Sequence, residues 1–268
     1  MGDGEEVYTA HWWLELSETF MDKIIQGDCL EIMRKIPDGL VDLVLTSPPY
    51  DDLREYNGYS FDFLNTAREI FRITKDGGMC VWVVSDKTKN GSETGTSFRQ
   101  ALLFKEAGFN LHDTMIWRKP NPMPHIQKNR YTPSFEYMFV FSKGKPKTAN
   151  MLREPCKYAG KLLKTHTTNP ESIRRKNTTV KTLDTKIKSN VFDYIVAGTN
   201  YGHPAIFPIQ LAKDHIYSWS NEGDLVIDPF CGSGTTCVAA KELRRRYIGI
   251  DISKIYCEIA EKRIGRIL

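Results

Sequence analysis

Short apolar runs of strand length recur along this chain, and stretches with helical spacing lie between most of them. Lys23-Ile24-Ile25-Gln26 reads as a short strand. It runs into Gly27-Asp28-Cys29 and a helical stretch from Leu30 to Ile36, stopped by Pro37-Asp38-Gly39. Val41-Asp42-Leu43-Val44-Leu45 reads as a buried strand that ends abruptly in Thr46-Ser47-Pro48-Pro49-Tyr50. Phe61 to Thr74 has helical spacing, with Lys75-Asp76-Gly77-Gly78 as its stop. Met79 to Val84 is apolar on both faces, as a central parallel strand is. A helix is expected from about Phe98 to Ala107, then strands at Leu111 to Trp117 and Glu136 to Phe141, and a helix beginning at Phe207. The closing section alternates strand (Leu225 to Asp228), glycine turn, helix (Thr235 to Leu243), strand (Tyr247 to Asp251) and helix (Ser253 to Ile264). Such alternation implies an α/β fold with a mostly parallel, doubly wound sheet.

Composition narrows the class. A chain of 268 residues buries a sizeable core and is most simply one large domain with an inserted lobe. No apolar stretch reaches transmembrane length, and the acidic start lacks a signal peptide's basic and apolar regions. A cytoplasmic setting without membrane attachment is therefore expected. The six cysteines contain no C-x-x-C pair, which supports neither a zinc site nor a disulfide framework.

Net charge is only +4, but residues 143–188 hold 13 Lys/Arg against Glu154, Glu171 and Asp184, a local balance of +10. This region either faces a polyanion or is a solvated, lysine-rich linker. The expected organisation is an N-terminal extension at 1–20, a catalytic half at 21–142, an inserted basic region at 143–200 and a cofactor-binding half at 201–268.

Two motifs carry chemistry. The proline pair after Ser47 removes two backbone donors and fixes two φ angles. The rigid turn presents a hydroxyl and Tyr50 at the carboxyl end of a strand, where open α/β sheets place ligands. The second motif is Asp228-Pro229-Phe230-Cys231-Gly232-Ser233-Gly234-Thr235-Thr236, in which the two glycines permit a sharp turn and close approach to a ligand. Asp251 ends the next strand and is placed to accept hydrogen bonds from ribose hydroxyls. The third glycine of a dinucleotide fingerprint is replaced by Cys237, and no lysine follows as in a phosphate loop. The ligand is thus a nucleoside without phosphates. Asp228 repels phosphate but suits a cationic amino group, which points to S-adenosyl-L-methionine.

With these motifs in hand, the chain resembles the beta group of DNA amino-methyltransferases, in which S-P-P-Y precedes F-x-G-x-G in a circularly permuted order. The resemblance spans Lys23 to Arg263. It rests on six ordered blocks: Gly27 to Glu31, Thr46 to Tyr50, Gly77 to Met79, Ile116 to Asn121, His203 to Pro208, and Asp228 to Thr236. It implies the Rossmann-like methyltransferase fold, duplex DNA as partner, and a cognate restriction endonuclease or a homodimer as partners left open.

By the same resemblance, Ser47, Pro48, Pro49 and Tyr50 form the catalytic site. Asp228, Phe230, Gly232, Gly234 and Thr235 line the cofactor's amino-acid end, Asp251 holds its ribose, Asp28 lies near its adenine and Phe207 closes over it. Phe135-Glu136 falls where the family often has His-Glu, so an aromatic here could stack on the target. The basic region becomes the target-recognition region. Lys161, Lys164 and Lys176 are expected to grip phosphates, with Arg174, Arg175, Asn177 and Asn169 as readers of base edges.

Ser at position 47 favours cytosine-N4 over adenine-N6 as the target, since adenine enzymes of the group more often carry Asp there. A C5-cytosine enzyme using Cys156 as nucleophile would place that thiol in a lysine-rich segment and leave S-P-P-Y without a role. An NAD-dependent oxidoreductase is supported only by the βαβ unit and Asp251. A non-catalytic DNA-binding module needs neither Ser47 nor the glycine loop.

Overall fold

A computed structural model describes residues 19–48, 62–124, 129–167, 176–196 and 207–267. Contacts divide the chain into two compact units, Met1–Asn150 with Asn190–Leu268, and Met151–Ser189.

The larger unit begins with β1 (Lys23–Gln26), α1 (Cys29–Met33), β2 (Val41–Thr46), α2 (Phe63–Ile73) and β3 (Thr74–Val84). A small hairpin of β4 (Thr88–Lys89) and β5 (Ser92–Glu93) precedes α3 (Thr96–Glu106), β6 (Asn110–Arg118) and β7 (Phe135–Ser142). The smaller unit contributes β8 (Arg153–Pro155), β9 (Leu162–Thr167), β10 (Lys176–Lys181) and β11 (Thr185–Ile187). The chain then returns through β12 (Val191–Asp193), α4 (Ile209–Trp219), β13 (Leu225–Asp228), α5 (Thr235–Glu242), β14 (Arg246–Asp251) and α6 (Lys254–Ile264).

Eight strands form one sheet in the order β1-β14-β13-β2-β3-β7-β6-β12. Its described strands run parallel except β7, which pairs antiparallel with both β3 and β6. The expectation of a mostly parallel α/β sheet holds.

Alternate residues of the central strands serve two cores. Val44, Cys80, Trp82, Phe139 and Phe141 belong to a cluster with Met33, Ile70 and Phe104. There Phe104 stacks on Phe141 at 4.7 Å and meets Trp82 edge-on at 4.9 Å. On the other face His215 of α4 reaches Met138 Sδ at 3.3 Å. Burial on both faces explains why these strands read as continuous apolar runs.

Local signals account for most element ends. Asp28, Asp62 and Ser253 each cap a helix, accepting from the backbone N–H of Glu31, Asn65 and Tyr256. The expected helix stop at Lys75 to Gly78 is instead the start of β3, which pairs from Thr74 with Val41 through a bulge. Gly78 is needed there because a Cβ would stand 2.8 Å from Thr74 and 3.0 Å from the Asp42 carbonyl.

The basic insert is narrower than the expected 143–200. Lys143 Nζ donates to the carbonyls of Phe71 (3.0 Å) and Thr74 (2.9 Å), closing the end of α2 inside the larger unit. Asn190 O accepts from Ile116 N at 2.8 Å, and β12 then adds to the sheet beside β6. Arg118 and Asp193 lock that pairing through two bonds of 2.6 Å.

Within the smaller unit, β8 pairs antiparallel with β11 and β9 with β10. Its described side chains include none that is buried. Among the described residues no helix is long and apolar enough to cross a membrane.

Candidate active site

The sheet brings the two motifs to neighbouring strand ends. β2 lies between β13 and β3, with Val226 beside Leu43 and Ile227 beside Val44. At its end Thr46 is fully buried and its hydroxyl donates to Asp228 Oδ1 at 2.6 Å, across 182 residues of sequence. Ser47, half-buried, and Pro48, buried, follow directly. Pro49 and Tyr50 lie outside the described residues.

Asp228 closes β13 and is turned inward. Oδ1 also accepts from Phe230 N at 3.0 Å, and Oδ2 accepts from Thr236 Oγ1 at 2.6 Å. Thr236 Oγ1 further stands 3.3 Å from the Leu45 carbonyl. Burial pushes the Asp228 carboxyl up to about 6, against the opposing pull of these three hydrogen bonds. The carboxylate expected to meet a cationic ligand group therefore has both oxygens engaged by the fold itself.

The glycine turn is held from two sides. Gly232 (φ 50°) and Gly234 (φ 79°) both adopt left-handed backbone conformations. Gly232 N donates to Asp251 Oδ2 at 2.9 Å, while Oδ1 of the same carboxylate accepts from Ser253 N at 2.8 Å. From α6, Arg263 Nη1 donates to the Ser233 carbonyl (2.6 Å), to Ser233 Oγ (2.8 Å) and to Thr235 Oγ1 (3.2 Å).

A Cβ at Gly234 would meet Ala260 Cβ at 2.7 Å, so its missing side chain is also what lets α6 pack against the turn. Phe230 is half-buried, its ring edge-on to Trp82 at 6.1 Å. Burial raises the thiols of Cys231 and Cys237 well above their usual range, which leaves them as neutral packing groups.

Asp28 shares this edge. Gln26 is registered against Asp251, and Gly27 N donates to the Asp251 carbonyl at 2.9 Å. Phe207 is half-buried and stands just before α4, while residues 201–206 of its block lie outside the described residues.

The antiparallel direction of β7 brings its first residue to the same end of the sheet, with Phe135 beside Arg118 and Tyr137 beside Val84. Phe135 is 45% exposed there, whereas Glu136 is buried and paired with Lys119 at 2.5 Å. The Lys119 ammonium also sits 4.9 Å from the centre of the Trp117 ring.

The expected DNA-contacting residues fall on the smaller unit. Lys161 is exposed, its backbone N–H bonded to Thr182 Oγ1 at 3.0 Å and its ammonium 5.3 Å over Tyr158. Lys164 is registered opposite Thr179, Lys176 opposite Thr167 and Asn177 opposite His166 in the β9–β10 ribbon. Asn169, Arg174 and Arg175 lie outside the described residues. Sequence reasoning missed Thr46, Thr236 and Arg263 as parts of the site. The two threonines stand inside the motifs, but only the folded pairing of β2 with β13 gives them a partner.

The residues present suit S-adenosyl-L-methionine. The edge formed by Asp28, Phe230 and Asp251 offers carboxylates and an aromatic ring. Its nearby guanidinium, Arg263, is bonded to Ser233 and Thr235. Nothing in this donor set calls for phosphate, and each carboxylate oxygen of Asp251 can accept more than one hydrogen bond.

Comparison with known proteins agrees with this geometry. The family model N6_N4_Mtase, described as DNA methylase, matches residues 41–262. The chain is 53% identical over 244 residues to the orphan methyltransferase M.BamHII of Bacillus amyloliquefaciens, covering 85% of this chain and 90% of that protein. It is 28% identical to the type II methyltransferase M.SmaI of Serratia marcescens, covering 91% of each.

Among solved structures, the PvuII DNA methyltransferase (cytosine-N4-specific) superposes with a TM-score of 0.70 at 24% identity, over 90% of this chain and 85% of that one. A putative DNA modification methylase of Thermus thermophilus, complexed with S-adenosyl-L-methionine, gives a TM-score of 0.61 at 26% identity, over 91% and 95%.

Proposed function

This chain belongs to the DNA methylase family of N6/N4 amino-methyltransferases, and on that premise we propose that it methylates the exocyclic N4 amino group of a cytosine flipped out of duplex DNA. S-adenosyl-L-methionine is the cofactor and supplies an electrophilic methyl group. Asp251 accepts from the ribose hydroxyls, Asp28 lies toward the adenine, and Phe230 with the turn at Gly232 to Thr235 borders the amino-acid end. Phe207 covers the cofactor from the approach to α4.

An exocyclic amino nitrogen is a poor nucleophile because its lone pair is delocalised into the ring. Ser47 Oγ and the Pro48 carbonyl accept its two N–H groups, which draws the nitrogen toward tetrahedral geometry and aims its lone pair. Two rigid acceptors at a strand end make this chiefly a positioning catalyst. The target atom is inaccessible inside a duplex, so the base leaves the stack, and Tyr50 supplies a surface for it. Phe135, exposed at the same end of the sheet, is a second aromatic candidate.

Residues 151–189 read the DNA. They hold ten Lys/Arg against Glu154, Glu171 and Asp184, and β9 with β10 makes a two-stranded ribbon of a kind that a major groove admits.

The observation that carries this reading is the 2.6 Å bond from Thr46 to Asp228, which sets the residue before Ser47 against the first residue of the glycine loop. The test is to incubate the protein with S-adenosyl-L-methionine and genomic DNA, digest to nucleosides and separate the products. N4-methylcytosine is expected. N6-methyladenine in its place overturns the choice of base, and no methylated nucleoside at all overturns the activity.

A further inference from the structure

We propose that Thr46, acting through Asp228 and Thr236, is a positioning residue that fixes the distance between the amino-group acceptors and the cofactor loop. The inference rests on the reading of Ser47 and the glycine loop given above and adds a coupling element to it. Four features support it. Thr46 precedes Ser47 directly and is fully buried, so its hydroxyl has no water to bond. That hydroxyl donates to Asp228 Oδ1 at 2.6 Å, and the same oxygen takes the Phe230 N–H at 3.0 Å.

The third feature is that the other oxygen, Oδ2, takes the Thr236 hydroxyl at 2.6 Å. That hydroxyl also approaches the carbonyl of Leu45, the residue before Thr46, at 3.3 Å. The chain of contacts is therefore a closed loop: Leu45 and Thr46 on one strand, Asp228 at the end of the next, Phe230 in the turn after it, and Thr236 on the helix that follows the glycine turn. Fourth, Asp228 shows no described basic partner, so a buried carboxylate is held by these short bonds alone among the described residues. Hydrogen bonds to a charged acceptor in a dry site are short and directional. A carboxylate held in this way sets the angle of both strand ends at once.

A methyl transfer between two separately bound groups depends on their spacing, and a small displacement costs rate while leaving each binding site intact. Loosening Thr46 should thus lower kcat more than it weakens either ligand. A residue that merely supports the fold would instead lower the melting temperature without changing kcat in the remaining folded enzyme.

The test compares wild type with Thr46→Val and Thr46→Ser. Valine keeps the shape and removes the donor, and serine restores it. For Thr46→Val a fall in kcat of roughly tenfold or more is expected, with the dissociation constant for S-adenosyl-L-methionine, measured by calorimetry, within about threefold of wild type. Thr46→Ser recovers most of the rate.

Thr236→Val, on the opposite oxygen, should reproduce the kcat loss, and the double variant should lose less than the product of the single losses. Should Thr46→Val fail to fold, Thr46→Ala, which also removes the donor to Asp228 Oδ1, carries the same comparison. A wild-type kcat in folded Thr46→Val or Thr46→Ala overturns the proposal, as does a loss confined to cofactor affinity. Wild-type enzyme that leaves no methylated base in DNA overturns the underlying functional reading instead, and the two failures are distinct.

Discussion

A methyl group placed on Gly234 would stand 2.7 Å from the Ala260 methyl, because α6 packs directly against the glycine turn. The backbone at Gly234 is also left-handed, at φ 79°. Gly234→Ala therefore meets both a steric clash and a conformational penalty, together about 2–4 kcal/mol. Denaturant unfolding should show that loss. Adding Ala260→Gly should return the steric share and leave the conformational one, so the double variant is more stable than Gly234→Ala alone.

Asp251 joins the glycine turn to the end of β14 through Gly232 N and Ser253 N. Asp251→Ala removes both anchors and the proposed ribose acceptor. Charge-assisted hydrogen bonds contribute roughly 1.5–3 kcal/mol each, so cofactor affinity should fall by about 10–100-fold or more. Titration calorimetry with S-adenosyl-L-methionine reads this directly, and unchanged affinity would remove Asp251 from the cofactor site.

Two buried groups titrate in the same acid window with opposite signs. Burial raises Asp228 from 3.8 to about 6, so the stability it contributes is present below pH 4 and is lost as pH rises through about 6. Burial lowers His215 from 6.5 to about 4, so its contribution is present above pH 6.5 and is lost as pH falls through about 4. Each is on the order of 3 kcal/mol, and in wild type they largely cancel. Asp228→Asn should make stability fall with acid between about pH 6 and 4, and His215→Leu should make it rise. Urea midpoints across that range distinguish the three proteins, and parallel curves would refute the pairing.

DNA binding by the smaller unit should be strongly salt-dependent. Each phosphate contact adds about 0.9 to the slope of log affinity against log salt. Lys161→Ala is expected to reduce that slope by about one and to weaken binding to all sequences alike, as fluorescence anisotropy at several salt concentrations would show. An affinity that does not change with salt would exclude residues 151–189 as a phosphate-gripping surface.

Much of this architecture was legible where a local signal exists. Asp62 and Ser253 cap their helices, so the predicted starts fall within two residues of those observed. The closing strand–turn–helix–strand–helix was legible because apolar runs and glycines mark each boundary. Val191–Asp193 was not, since three residues are too short to show a period and become a strand only by pairing with β6. The inward role of Asp228 was equally hidden. Its partner Thr46 lies 182 residues away, and no spacing rule connects two strands that become neighbours only in the finished sheet. The packing duty of Gly234 depends in the same way on where α6 comes to rest.

The strand order also has a consequence for synthesis. β1 and β2 emerge first from the ribosome, yet β14 and β13 separate them in the sheet. Until Leu225–Asp228 and Arg246–Asp251 have been made, β2 presents a bare edge and β1 has no strand to join. An uncovered edge of apolar residues is a template for aggregation, so the nascent chain passes through its most vulnerable state for most of translation. The same late strands carry the glycine turn and Asp251. Closure of the sheet and assembly of the proposed cofactor site are thus one event, and a chain stopped short of β14 lacks both.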